Sequence, residues 1–161
     1  MITSYFGILV TFILLFLTGL QGYFHFQVMN ASHAQFALIT AIIYMFTQTL
    51  IMFYFIGSGT AIKKSIQISG RGIESYEKVK KGKMLLFPHL TLNMVLVGTV
   101  FILGGAVQTG SVSGWIHGSL FILSFIHFLY TTLLEHRGFR DNIDILVELA
   151  EEDQPATLES A

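Results

Sequence analysis

Apolar residues fill two long blocks of the chain. The first block covers residues 1–62 and the second covers residues 84–134, and neither contains Lys, Arg, Asp or Glu. Each block is long enough for two helices of the about 20 apolar residues that cross a bilayer. The blocks lack the apolar–polar alternation of membrane β-strands. Since only helices or closed barrels satisfy their backbone polar groups in lipid, the pattern predicts two helical hairpins.

The predicted fold class is all-α, a four-helix transmembrane bundle built from these two hairpins. Residues 1–134 form its membrane domain, with spans expected at about residues 5–22, 34–56, 85–107 and 115–134. Helices in lipid associate through close packing, so small residues are expected where they touch. The first span carries one such face, formed by Gly7, Thr11, Thr18 and Gly22.

Composition supports a membrane protein. Of the 161 residues, 53% are hydrophobic and only 12% are charged, whereas typical soluble domains have roughly 25% charged residues. The chain contains no cysteine, which excludes disulfides, thiolate-bound metal centres and covalently attached haem. Nothing in this composition favours a nucleic-acid partner, and the lipid bilayer is the expected environment.

The charged residues predict the orientation. The segment 57–84 between the hairpins is expected to be a loop, and it contains seven of the nine basic residues. The positive-inside rule places this basic loop in the cytoplasm. With four spans, both termini then lie on the cytoplasmic side of a plasma or inner membrane.

The tail of residues 135–161 carries eight of the ten acidic residues. A short amphipathic C-terminal helix is predicted there from the helical spacing of Ile143, Leu146, Val147 and Ala150. Three interpretations of the tail remain open. It docks on the basic loop through complementary charge, it binds a partner while the loop faces anionic lipid headgroups, or it stays solvated.

Polar residues inside the spans are the candidates for chemistry. A polar belt is expected in the cytoplasmic half of the bilayer, formed by Gln48, His89, Asn93, His127 and Tyr130. Three interpretations of the belt remain open. Its side chains hydrogen-bond across helices, His89 and His127 ligate a b-type haem between helices, or the belt binds a quinone or lipid headgroup. Pro88 counts against the haem, because a proline in the first turn moves His89 toward the interface.

Three further histidines, His25, His33 and His117, are expected near the outer surface. Imidazole is the commonest protein ligand of metal ions, so these residues form a candidate copper or zinc site. Their spacing matches no established metal motif.

The function expected from these features is an accessory or anchoring subunit of a larger membrane complex, such as a respiratory or electron-transfer assembly. Four helices with histidines are similar in plan to the membrane anchors of respiratory complexes, an analogy of fold alone. An electron-transfer subunit binding haem b or quinone through His89 and His127 is the first alternative. A small transporter or channel is the second, although the first two helices lack evident pore-lining polar residues and no charge lies within the spans. Without a nucleophile triad or acid–base pair, autonomous catalysis is not expected.

Overall fold

The computed structural model describes residues 1–69 and 73–152, and four α-helices account for nearly all of them. The helices, in chain order, are α1 (Ile2–Phe24), α2 (His33–Ser69), α3 (Ile73–Gln108) and α4 (Gly114–Glu152). Each helix is long and apolar enough to cross a membrane. The predicted all-α four-helix bundle is therefore confirmed, and the chain is an integral membrane protein.

Short connections join the helices at one end of the bundle, which we call the short-loop end. Residues 25–32 connect α1 to α2, and residues 109–113 connect α3 to α4. His25 ends α1 in the left-handed conformation, with φ 54°, and its N–H donates to the Gln21 carbonyl oxygen at 3.0 Å. A residue in this conformation directly after the last turn caps a helix, and the backbone of His25 does so for α1. Few residues other than glycine adopt this conformation.

The opposite end is helical where the sequence predicts a loop. Within the basic segment 57–84, α2 continues to Ser69 and α3 begins at Ile73. The loop prediction was wrong because charge marks where lipid ends, whereas Lys and Glu are good helix formers. Residues 70–72 of that segment lie outside the described residues.

The tail is also a continuation of a span, because α4 runs without a break through residue 134 to Glu152. The separate short helix predicted there is thus part of α4, and residues 153–161 lie outside the described part. The predicted apolar face was also wrong. Leu146 and Val147 are exposed, and the tail instead buries Asn142, Ile145 and Leu149.

These continuations, residues 57–69, 73–84 and 135–149, pack together and are called the extended end. Their shared core contains Ile62, Ile66, Val79, Ile145 and Leu149. The Lys78 ammonium lies 3.0 Å from the Asp141 carboxylate at the edge of this core. Exposed ion pairs contribute less than about 1 kcal/mol, so the apolar core holds the described part of the tail against the basic segment.

The inward face of α2 sets the character of the bundle interior. It is polar toward the short-loop end, at Thr40, Tyr44, Thr47 and Gln48, and apolar further along, at Ile51 and Phe55. The second helix therefore carries buried polar residues, and Gln48, expected in the polar belt, is among them.

The small-residue face predicted on α1 does contact α2. Thr11 donates to the Thr47 hydroxyl at 3.3 Å, and the Thr18 and Thr40 hydroxyls share a hydrogen bond of 2.8 Å. A Cβ on Gly7 would lie only 2.9 Å from the Thr47 methyl group, so glycine permits this close approach.

Candidate binding cavity and buried polar sites

A cavity of about 830 Å³ lies between all four helices at the short-loop end. Small-molecule sites are typically about 300–1,000 Å³, mostly apolar, with a few converging polar groups. The walls of this cavity are mainly apolar, and no Lys, Arg, Asp or Glu lines it. Its size and walls fit an apolar ligand of moderate size.

The cavity exists because small residues face it from every helix. Glycine or alanine occupies the wall at Gly19, Gly22, Ala34, Ala37, Ala41, Gly104, Gly105 and Gly118. Aromatic rings lie directly over two of the glycines. A Cβ on Gly19 would come within 2.5 Å of the Phe121 ring, and the Tyr23 hydroxyl donates to the Gly118 carbonyl oxygen at 3.1 Å.

Two histidines meet at the end of the cavity nearest the loops. The ring centroids of His33 and His117 are 6.2 Å apart, in an edge-on arrangement. Gly22 and Gly104 make room for them, because a Cβ at either position would lie 3.1 or 3.3 Å from the adjacent ring. The Nδ1 atoms of both rings are buried without a hydrogen-bond partner. Such atoms are rare in folded proteins, so this end of the cavity wall holds two polar atoms whose hydrogen bonds are unmade.

The third histidine of the candidate metal site, His25, also lines the cavity. Among the described residues, however, no group of three His, Cys, Asp or Glu side chains is placed to hold a metal ion. The structure thus brings His33 and His117 together without supplying the third ligand that the copper or zinc hypothesis requires.

The structure also places His89 and His127 in direct contact, away from this cavity. Their Nδ1 and Nε2 atoms are 3.3 Å apart, within hydrogen-bonding distance. Tyr130 stands edge-on to His89, with ring centroids 5.1 Å apart, and is 45% exposed. The histidine pair therefore lies between α3 and α4, near the surface of the bundle that faces away from its interior.

This contact does not suit a haem. Two imidazoles on one iron need their nitrogens roughly 4 Å apart, taking about 2.0 Å for each metal–imidazole bond, with a porphyrin between the rings. His89 and His127 instead hydrogen-bond directly, which leaves no gap for the macrocycle.

Asn93 and Gln48 belong to the interior rather than to the histidine pair. The Tyr44 hydroxyl donates to Asn93 Oδ1 at 2.6 Å, and Asn93 Nδ2 donates to the Ser124 carbonyl oxygen at 3.0 Å. Ser124 also lines the cavity. The single belt expected from sequence is therefore two sets of polar residues, one at the α3–α4 surface and one inside the bundle.

The interior holds one ionisable residue that the sequence patterns missed. Glu135 is 0% exposed and Gln48 is 1% exposed. Their side chains are neighbours, yet both carboxyl oxygens and both amide atoms lack a well-formed hydrogen bond. Glu135 is the first charged residue after an apolar block, so the charge pattern alone places it in the tail.

A positional signal for Glu135 is nevertheless present in the sequence. It follows Thr131 by four residues and Ser124 by eleven, which places all three on one face of a helix. That face is buried in α4. Helical periodicity therefore predicts that the Glu135 side chain faces the bundle interior.

No protein-family model matches the chain, and neither a curated protein nor a solved structure gives a significant match. The geometry of these sites is therefore the basis for a functional proposal.

Proposed function

We propose that the protein is a small membrane subunit that binds a neutral amphipathic molecule in the cavity at its short-loop end, with a quinone as the best chemical match. One observation carries the proposal. A cavity of about 830 Å³ with mostly apolar walls ends at two imidazoles whose Nδ1 atoms have no partner.

The character of the cavity walls supports a neutral ligand. A charged headgroup would lie in the cavity without a counter-charge, which is costly in an apolar environment. A quinone head is neutral and planar, and its carbonyl oxygens accept hydrogen bonds. Imidazole N–H groups of His33 and His117 can donate to those oxygens, and aromatic rings such as Phe121 and Phe125 suit a flat head.

The distribution of residues also favours one orientation of the ligand. The imidazoles lie at the short-loop end, whereas Leu15, Val97 and Phe125 line the cavity deeper in the bundle. The polar head is thus expected near the interface and the apolar tail toward the middle of the bilayer.

The accessory role predicted from sequence is retained in this proposal. Little of the described chain lies outside the four helices, and the extended end presents a compact charged surface suited to docking. A ligand-binding subunit of this kind would hold or position its ligand for a larger membrane assembly.

Trp115 provides the test, because it is the single tryptophan of the chain and it lines the cavity. Quinones quench indole fluorescence, so a short-chain benzoquinone is titrated into the full-length protein in detergent. Saturable quenching is expected. Ala37→Leu, which fills the cavity, should weaken binding at least about tenfold, equivalent to about 1.4 kcal/mol.

The matched control is Ala61→Leu, the same change at an exposed position of α2 beyond the cavity. It should leave the quenching curve unchanged. Quenching that rises linearly with quinone concentration, equally in all three proteins, would mean collision within the micelle and would refute the proposed binding site.

A further inference from the structure

The burial of Glu135 is unusual for its position along α4. Glu135 follows Gly114 by 21 residues, or about 31 Å of helix at 1.5 Å per residue. The hydrocarbon core is about 30 Å thick. Glu135 therefore lies near the far boundary of the membrane from the short loops, close to water but with none of its surface exposed.

No cation neutralises this carboxyl group within the described residues. The ion pairs found there join Lys78 to Asp141 and Lys80 to Glu77. Lys83, on α3, points instead at Gly59 of α2. An ionised Glu135 would thus be an unpaired charge in an apolar interior, which is among the costliest arrangements in a protein.

None of the other ionisable groups described near this part of the bundle forms an ion pair with Glu135. Tyr44, on α2, is the ionisable group whose charge would interact with that of Glu135. On α1, the Tyr5 hydroxyl bonds to His136 Nδ1 at 2.8 Å, and on α3, His89 bonds to His127. On α4 itself, Arg137 and Arg140 are exposed.

Glu135 and Gln48 together present four buried polar atoms without partners. A single proton on the Glu135 carboxyl group allows all four atoms to form a hydrogen bond. A protonated Glu135 donates its O–H to Gln48 Oε1, and Gln48 Nε2 donates to the carbonyl oxygen of Glu135. The acid and the amide then form a reciprocal pair with two hydrogen bonds and no net charge, which is the state that burial favours.

We propose that Glu135 is a proton-binding site in the bundle interior, holding a proton at neutral pH in an acid–amide pair with Gln48. This site is independent of the proposed quinone function. Between it and the cavity, the Tyr44 hydroxyl donates to Asn93, and Asn93 Nδ2 donates to the backbone carbonyl oxygen of the cavity residue Ser124.

Infrared difference spectroscopy of the full-length protein in lipid tests the proposal. A C=O stretch of a protonated carboxyl group is expected at pH 7, shifted down in D₂O and absent from Glu135→Gln. Asp144→Asn removes an exposed acid of the same helix and should leave the band intact. Absence of a Glu135-dependent band at pH 7 would overturn the proposal.

Two further measurements separate the outcomes. Replacing choline chloride with sodium chloride at equal ionic strength should not change the band, since loss of the band in sodium would mean that a metal cation occupies the site instead. Gln48→Leu removes the amide but keeps the acid, so the band should move to higher frequency. An unchanged frequency would rule out the acid–amide pair even if Glu135→Gln failed to fold.

Discussion

The Tyr44 hydroxyl on α2 donates a 2.6 Å hydrogen bond to Asn93 on α3, and both side chains are almost completely buried. This bond lies between the cavity at the short-loop end and the Glu135 site. It joins the two hairpins of the fold, since α2 belongs to the first and α3 to the second. Removing this bond therefore tests whether the two hairpins share one interior.

Tyr44→Phe should destabilise the bundle. The substitution removes the donor and leaves Asn93 Oδ1 buried without it, at an expected cost of about 0.6–2 kcal/mol. Thermal unfolding in detergent, followed by circular dichroism, measures the loss. Tyr130→Phe removes a hydroxyl from a half-exposed tyrosine and should change stability by much less. Equal effects of the two variants would argue against the buried bond.

Two glycine-to-alanine substitutions should differ in their effect on stability. At Gly19 the new Cβ would meet the Phe121 ring at 2.5 Å, whereas at Gly105 nothing lies within 4 Å. Gly105→Ala should be neutral or stabilise by up to about 1 kcal/mol through helix propensity. Gly19→Ala should destabilise, and the same unfolding assay measures both. Stabilisation by Gly19→Ala would contradict the packing of Phe121 against α1.

The extended end should depend on its apolar core. Ile145→Ala removes a side chain that is buried among Ile62, Ile66 and Val79, and a cost of about 2–5 kcal/mol is typical for such a truncation. Limited proteolysis of the tail should accelerate accordingly. Val147→Ala is the control. Val147 lies two residues further along α4 and is exposed, so its truncation should leave the cleavage rate unchanged. Equal protection in both variants would mean that the tail is held by charge alone.

Orientation in the membrane can be measured by cysteine labelling, because the native chain contains no cysteine. Ser111→Cys lies in the exposed connection between α3 and α4, and Gln67→Cys lies on the exposed surface of the extended end. The positive-inside rule predicts that an impermeant maleimide added to intact cells labels position 111. Position 67 should react only after permeabilisation, and the reverse pattern would invert the proposed topology.

Much of the fold could be predicted because it depends on composition over long stretches. The absence of charge in residues 1–62 and 84–134 determines the number of spans, since a charge inside lipid is costly. The end of each helix could not be predicted in this way. A helix continues past the lipid boundary wherever its residues have helix propensity and a partner to pack on, as α4 does through Ile145 and Leu149.

The candidate site was only partly predictable for a related reason. Depth along a helix is readable from residue count, which brought His89 and His127 to a similar level. The direction that each side chain faces depends on packing between helices. Asn93 therefore turned out to bond inside the bundle, and the cavity arose from small residues on all four helices that no local motif marks.

The unbroken course of α4 has a mechanical consequence. Its 39 residues form a rod about 58 Å long at 1.5 Å per residue, with the cavity wall at one tip and the acidic segment at the other. A stiff rod of that length acts as a lever: a tilt of about 5° would swing the distant tip by roughly 5 Å. Any rigid tilt of α4 would therefore move the cavity wall and the far surface together.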